Sequence, residues 1–97
     1  MNTKTQSPNP DVAQAIEALE SGNPQVTEKI CRTHLSTRPA SVEHIRLLGH
    51  ALQQQGYLPE AETQFKLALA LSPKFARLHE DLGSVLAMQE KYDESIP

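Results

Sequence analysis

Four histidines, one cysteine and several closely spaced carboxylates are the side chains of this chain with chemistry to offer. Cys31 and His34 stand one turn apart on a predicted helix, the spacing of a thiol–imidazole pair. A thiolate nucleophile needs a base, a lowered pKa and a group to stabilise an oxyanion. Nothing near Cys31 in sequence supplies the last, and Cys31 falls on an apolar stripe, so it is expected to be a buried small hydrophobe. A helical zinc site wants histidines at i and i+4, usually with an acid. His44 and His50 are six residues apart and face differently, and His79-Glu80-Asp81 is isolated. These histidines are expected to be solvated or groove-lining rather than metal ligands. Glu60/Glu62, Glu80/Asp81 and Asp93/Glu94 have the pattern of solvated helix faces. The glycines are scattered and form no phosphate loop. No catalytic, cofactor-binding or metal residue is assigned, and the chain is not expected to be an enzyme.

The elements that carry these residues are organised around Val42–Phe75, which predicts two amphipathic helices and a short turn. Ile45, Leu48, Ala51 and Leu52 share one face at spacings of three and four. Gly49 interrupts that face. A glycine there costs roughly 1 kcal/mol against alanine, so close approach by a neighbouring helix is expected to explain it. Gly56 ends the first helix, where the chain turns through the left-handed region. Pro59 opens the second, because a first-turn N–H has no intrahelical partner to lose. Ala61, Phe65, Ala68 and Leu69 make its apolar stripe, and Ser72-Pro73 stops it.

This stretch resembles a tetratricopeptide repeat (TPR), whose pattern W-x2-L-G-x2-Y, A-x3-F, P recurs with a period of about 34 residues. Ile45, Leu48, Gly49, Leu52, Ala61, Phe65 and Pro73 stand at those places, and Gly56 and Ala68 match further small positions. Ile45 replaces the aromatic and Leu52 the tyrosine. The resemblance implies an all-α fold, a right-handed TPR-type superhelix (solenoid) of about 2.5 helix-turn-helix repeats, with a concave surface lined by the first helix of each pair.

A shift of one repeat period backwards places Gly56 on Gly22, Ala61 on Thr27, Phe65 on Cys31, Leu69 on Leu35 and Pro73 on Pro39. A degenerate earlier copy is therefore expected over about residues 8–41. Its first helix fits better with a turn one residue shorter, which puts Leu19 at the place of Leu52. The forward shift puts Leu82-Gly83 on Leu48-Gly49 and Leu86 on Leu52. The central copy spans 42–75, and a third, truncated copy spans 76–97. Residues 1–9 read as a disordered lead-in, with Asp11 capping the first helix. Expected helices are roughly 11–21, 24–36, 40–55, 59–71 and 74–90, then a final turn from 92 that uses Tyr92 and Ile96. The expected core is Ile16, Leu19, Cys31, Leu35, Ile45, Leu48, Leu52, Ala61, Phe65, Leu69, Leu82 and Leu86.

The totals constrain the partners. The 97 residues carry a formal net charge of −3, which argues against nucleic acid or an anionic membrane. One cysteine excludes an internal disulfide and fits a reducing compartment. The N-terminus has no secretory h-region and no apolar run reaches bilayer length, so a cytoplasmic setting is expected. A hydrophobic content of 38% with no Trp suits stacked helix pairs better than one large core.

From the resemblance, binding belongs on the concave surface. Glu43, Arg46, His50, Gln53 and Gln54 of the central copy point there, as do Arg77, Glu80, Ser84, Ala87 and Met88 of the third. Ala13, Glu17 and Glu20 are the candidates in the first. A groove mixing Arg46 and Arg77 with Glu43 and Glu80 suits an extended peptide or a helix of mixed charge. It lacks the asparagine and the second cation of a carboxylate clamp. The reading is a non-catalytic protein–protein interaction module without cofactors, binding a protein or peptide segment.

The alternative makes the chain the N-terminal repeat region of a larger bacterial enzyme whose catalytic domain lies beyond Pro97. Thr27-Glu28, Cys31-Arg32, Leu47-Leu48-Gly49, Phe75-Ala76 and Glu80-Asp81-Leu82-Gly83 are similar to the leader repeats of bacterial TPR-containing sulfotransferases, and to repeats fused to glycosyltransferases. Helix 76–90 lacks a full partner helix, so Leu78, Leu82, Val85 and Leu86 are expected to be partly bare and to support a weak homodimer.

Overall fold

Gly22 and Gly56 end two helices in the same way. Both have positive φ, 85° and 87°, a region open to glycine at no steric cost. Around Gly22, its own N–H reaches Leu19 O at 3.3 Å and Asn23 N–H reaches Ala18 O at 2.8 Å. Around Gly56, the matching bonds run to Gln53 O at 3.0 Å and from Tyr57 N–H to Leu52 O at 2.9 Å. This is the Schellman closure, which satisfies the last carbonyls of a helix. The two closures lie 34 residues apart. Their equivalence makes Ala18, not Leu19, the counterpart of Leu52. The shorter first turn expected from the apolar pattern is therefore absent: the pattern put Leu19 at the place of Leu52, but the two closures have the same length.

The structure, a computed structural model, describes residues 10–95, with side chains over 11–91. Five helices follow one another: α1 (Pro10–Glu20), α2 (Pro24–Leu35), α3 (Val42–Gln54), α4 (Leu58–Leu71) and α5 (Ala76–Ser95). The described chain is all-α and contains no strand. Pro24 and Pro59 sit at the first and second positions of α2 and α4, where their missing N–H costs no helical bond. Asp11 lies in the first turn of α1 rather than at the cap. Each helix packs against its successor, and α1 also meets α3. The result is elongated, 59 × 29 × 21 Å. The expectations for residues 1–9 and for the side chains of Tyr92 and Ile96 fall outside what the structure describes.

The core runs along the shared faces. Cys31, Ile45, Leu48, Leu52, Ala61 and Phe65 are buried as expected, with Leu19, Leu35, Leu69 and Leu82 half-buried against them. Gly49 has its expected reason. A Cβ there would lie 2.6 Å from Phe65 Cε1, so only glycine lets this ring seat against α3. The positions 34 residues earlier are Ala15 and Cys31, both fully buried. A methyl stands there opposite a side chain much smaller than Phe. Thr27 is also fully buried, and its hydroxyl donates to Ala15 O at 2.8 Å, which satisfies the polar group.

Several expectations are corrected. Ile16 and Leu86 are exposed, at 38% and 43%. Leu78 and Val85, expected to be partly bare, are fully buried. They are seven residues apart on α5, two turns of one stripe, and both belong to the core cluster, on a helix that packs against α4. The expected break near residue 91 is absent, since α5 continues to Ser95 as one 20-residue helix. Gly83, expected to face a close neighbour as Gly49 does, has nothing within 4 Å of where its Cβ would be. Among the described residues no helix stands opposite it in the way that α4 and Phe65 stand opposite Gly49.

A second periodic feature joins successive hairpins. Gln55 Nε2 donates to Glu28 Oε1 at 2.9 Å, and Arg32 Nε binds Glu28 Oε2 at 2.8 Å. Gln89 Nε2 donates to Glu62 Oε1 at 2.7 Å, and Lys66 Nζ binds Glu62 Oε2 at 2.7 Å. Every member of the second set lies 34 residues after its counterpart in the first. The Gln55 and Arg32 hydrogen bonds hold the Glu28 carboxyl below its usual pKa, and those from Lys66 and Gln89 do the same for Glu62. The first helix of one hairpin is thereby tied to the second helix of the hairpin before it.

Candidate functional site

The face shared by α1, α3 and α5 gathers most of the residues singled out from the sequence. Arg46 and His50 are one turn apart on α3, and both aim at Asp81 on α5. Arg46 Nε donates to Asp81 Oδ2 at 2.6 Å, and His50 Nε2 lies 3.3 Å from Oδ1. The Arg46 guanidinium also lies over the Phe75 ring, 5.6 Å from its centroid, within cation–π range. His50 meets the edge of Phe65 at 5.1 Å. Burial pushes the His50 pKa down, against the opposing pull of the Asp81 carboxylate. These two groups are therefore already engaged by Asp81.

Gln53 Nε2 reaches Ser84 Oγ at 3.4 Å and Met88 Sδ at 2.9 Å, again across to α5. Gln54 turns the other way and donates to Leu19 O of α1 at 3.3 Å. Glu43, Arg77 and Glu80 are exposed, as are Ala13, Glu17, Glu20 and Ala87. The face thus has a polar floor of inter-helix contacts and a rim of exposed charges of both signs. An open depression of about 340 Å³ lies elsewhere, lined by residues of α2, α3 and α4 that include Leu35, Ile45, Leu48 and Leu67.

Cys31 is fully buried, and that burial pushes its thiol up to about 12. A thiol held protonated is a poor nucleophile. His79 is exposed, and its Nε2 donates to Pro73 O at 3.0 Å.

His44 differs from its expectation. It is 1% exposed, in the first turn of α3. Its ring stacks on that of His34, with centroids 3.6 Å apart and planes 6° from parallel. His34 Nδ1 donates to Asp11 Oδ2 at 3.3 Å, and His44 Nδ1 shares a 2.7 Å hydrogen bond with Ser41 Oγ. Asp11, His34 and His44 thus meet from the start of α1, the end of α2 and the start of α3. Ligand spacing of i and i+4 belongs to a single helix, whereas this trio is spread over three. The one local signal was Ser41-x-x-His44, the spacing of a capping box with histidine in the place of glutamate.

No protein-family model matches the chain, and no curated protein matches it. Among the described residues no helix is long and apolar enough to cross a membrane.

Proposed function

We propose that this chain is a non-catalytic interaction module of the tetratricopeptide-repeat type, a right-handed stack of helical hairpins. It takes an extended peptide or short helical segment of mixed charge on the face shared by α1, α3 and α5. One observation carries the reading: side chains of the alternate helices meet along that face, through Gln54 to Leu19, Arg46 and His50 to Asp81, and Gln53 to Ser84. Alternate helices lie side by side in this manner when hairpins stack in series. The repeat assignment is supported by two further recurrences at the same period, the glycine closures and the Gln–Glu–cation ties. The exposed charges Glu43, Arg77 and Glu80 provide the selectivity, while Arg46 and His50 shape the floor.

The test is selection of a random-peptide display library on the immobilised chain, followed by amide shift mapping with a selected peptide. Shifts are expected along α1, α3 and α5, and E43K, R77E and E80K together are expected to weaken binding about tenfold or more while leaving the thermal midpoint in place. Failure to enrich any peptide, or shifts confined to the depression lined by α2, α3 and α4, would refute the assignment.

A further inference from the structure

We propose that Asp11, His34 and His44 form a binding site for one divalent transition-metal ion of the zinc class, clipping the first hairpin to the second. One nitrogen from each ring and one Asp11 carboxylate oxygen lie within 4.8 Å of one another. Two imidazoles and a carboxylate are the donor set of a three-ligand zinc site, with a water in fourth place. Hard ions such as Mg2+ and Ca2+ prefer an all-oxygen shell.

His44 carries the argument furthest. Its Nε2 is buried and has no hydrogen-bond partner among the described residues. A buried nitrogen left in that state costs free energy that a ligand can recover. Its Nδ1 is engaged by Ser41 Oγ. When Nδ1–H donates to that hydroxyl, Nε2 presents its lone pair, which is how outer-shell partners orient metal-ligating histidines. The Asp11 side chain is 47% exposed and that of His34 14%, so an ion has a path from solvent past the carboxylate.

The stacked rings set the movement required. Lone pairs of parallel imidazoles run side by side rather than converge, so binding turns His34 out of its 6° stack with His44. Donor atoms around tetrahedral zinc are about 3.3 Å apart, inside the 4.8 Å that bounds this cluster, so the ligands draw together on binding. His34, half-buried in the last turn of α2, is the ring with room to move.

The test uses the full 97-residue chain, stripped by chelator, with Zn2+ as probe and Co2+ as optical reporter. One equivalent of Zn2+ is expected to shift the ring resonances of His34 and His44, leave those of His50 and His79 in place, and raise the thermal midpoint. Co2+ is expected to give the visible absorption of a low-coordinate complex. Asp11→Asn, His34→Gln and His44→Leu are each expected to weaken binding by about tenfold or more, and Ser41→Ala by about 10–100-fold. Leu78, one repeat period after His44, is fully buried, so leucine suits this kind of site. D11N alters a half-exposed position and keeps the test decisive should H44L unfold. Rings of His34 and His44 that stay unmoved with Zn2+ overturn the proposal, as does equal Zn2+ affinity in wild type, D11N and H34Q.

Discussion

The ring of Phe65 fills the space that a side chain on Gly49 would need. A Cβ at Gly49 meets three atoms of that ring between 2.6 and 3.0 Å, and Phe65 is fully buried, so the ring has no free direction in which to yield. Gly49→Ala is expected to destabilise the chain by about 1–3 kcal/mol despite the better helix propensity of alanine. Gly83→Ala, at an equivalent position with open space around it, is expected to stabilise by up to about 1 kcal/mol. Urea unfolding of the two variants checks both signs; destabilisation by both, or by neither, would count against this account of Gly49.

The paired ties between hairpins predict an acid transition. Glu28 and Glu62 have folded pKa values below the ordinary 4.5. Their stabilisation is complete above that value and is lost as pH falls through the folded values. Gln55→Ala removes the largest cause of the Glu28 shift, so the Glu28 carboxyl is expected to titrate closer to 4.5 while Glu62 stays low. Gln89→Ala is expected to raise Glu62 alone. Side-chain carboxyl NMR titration of both variants separates the two ties.

His50 predicts behaviour at milder pH. Its folded pKa lies below 6.5 because burial disfavours the charged ring, and Asp81 opposes that. The linked stability is present above 6.5 and declines as pH falls through the folded value. Asp81→Asn removes the opposing carboxylate and leaves Arg46 beside the ring, so the His50 pKa is expected to fall further. A ring titration showing an upward move in D81N would reverse the roles given to burial and Asp81.

Cys31 predicts silence. With its thiol at about 12 and fully buried, it is expected to resist iodoacetamide near neutral pH and to react only through opening of the α1–α2–α3 core. Alkylation monitored by mass spectrometry should accelerate with urea in step with unfolding. Reaction at the rate of a free thiol in native buffer would show that the cysteine is accessible.

Much of the fold is legible because helix signals here are local. Gly22, Gly56, Pro24, Pro59 and the Ser72-Pro73 pair punctuate the chain by their own backbone chemistry, and the observed ends of α1 to α4 fall within about two residues of the expected ones. Periodicity misplaces Ile16 and Leu86 because it selects a face without saying whether a neighbour covers it. It misplaces His44 because the partners of that ring come from two other helices, which no spacing along one helix encodes. The rim charges Glu43, Arg77 and Glu80 are readable as outward positions. The engagement of Arg46 with Asp81 is not, since it depends on α5 lying beside α3. The Gln–Glu–cation ties are present in the sequence as an echo of polar residues at the repeat period, which a comparison of apolar positions between copies does not reach.

Those ties also set how the molecule would respond to mechanical load. Each joins a hairpin to its immediate successor, so a pull along the long axis loads it together with the Gln54–Leu19 contact at the first junction and the Arg46–Asp81 and Gln53–Ser84 contacts at the second. In both ties, the cation holds the glutamate from four residues on in the same helix, so the part of the load that a tie carries across its junction falls on the Gln–Glu hydrogen bond.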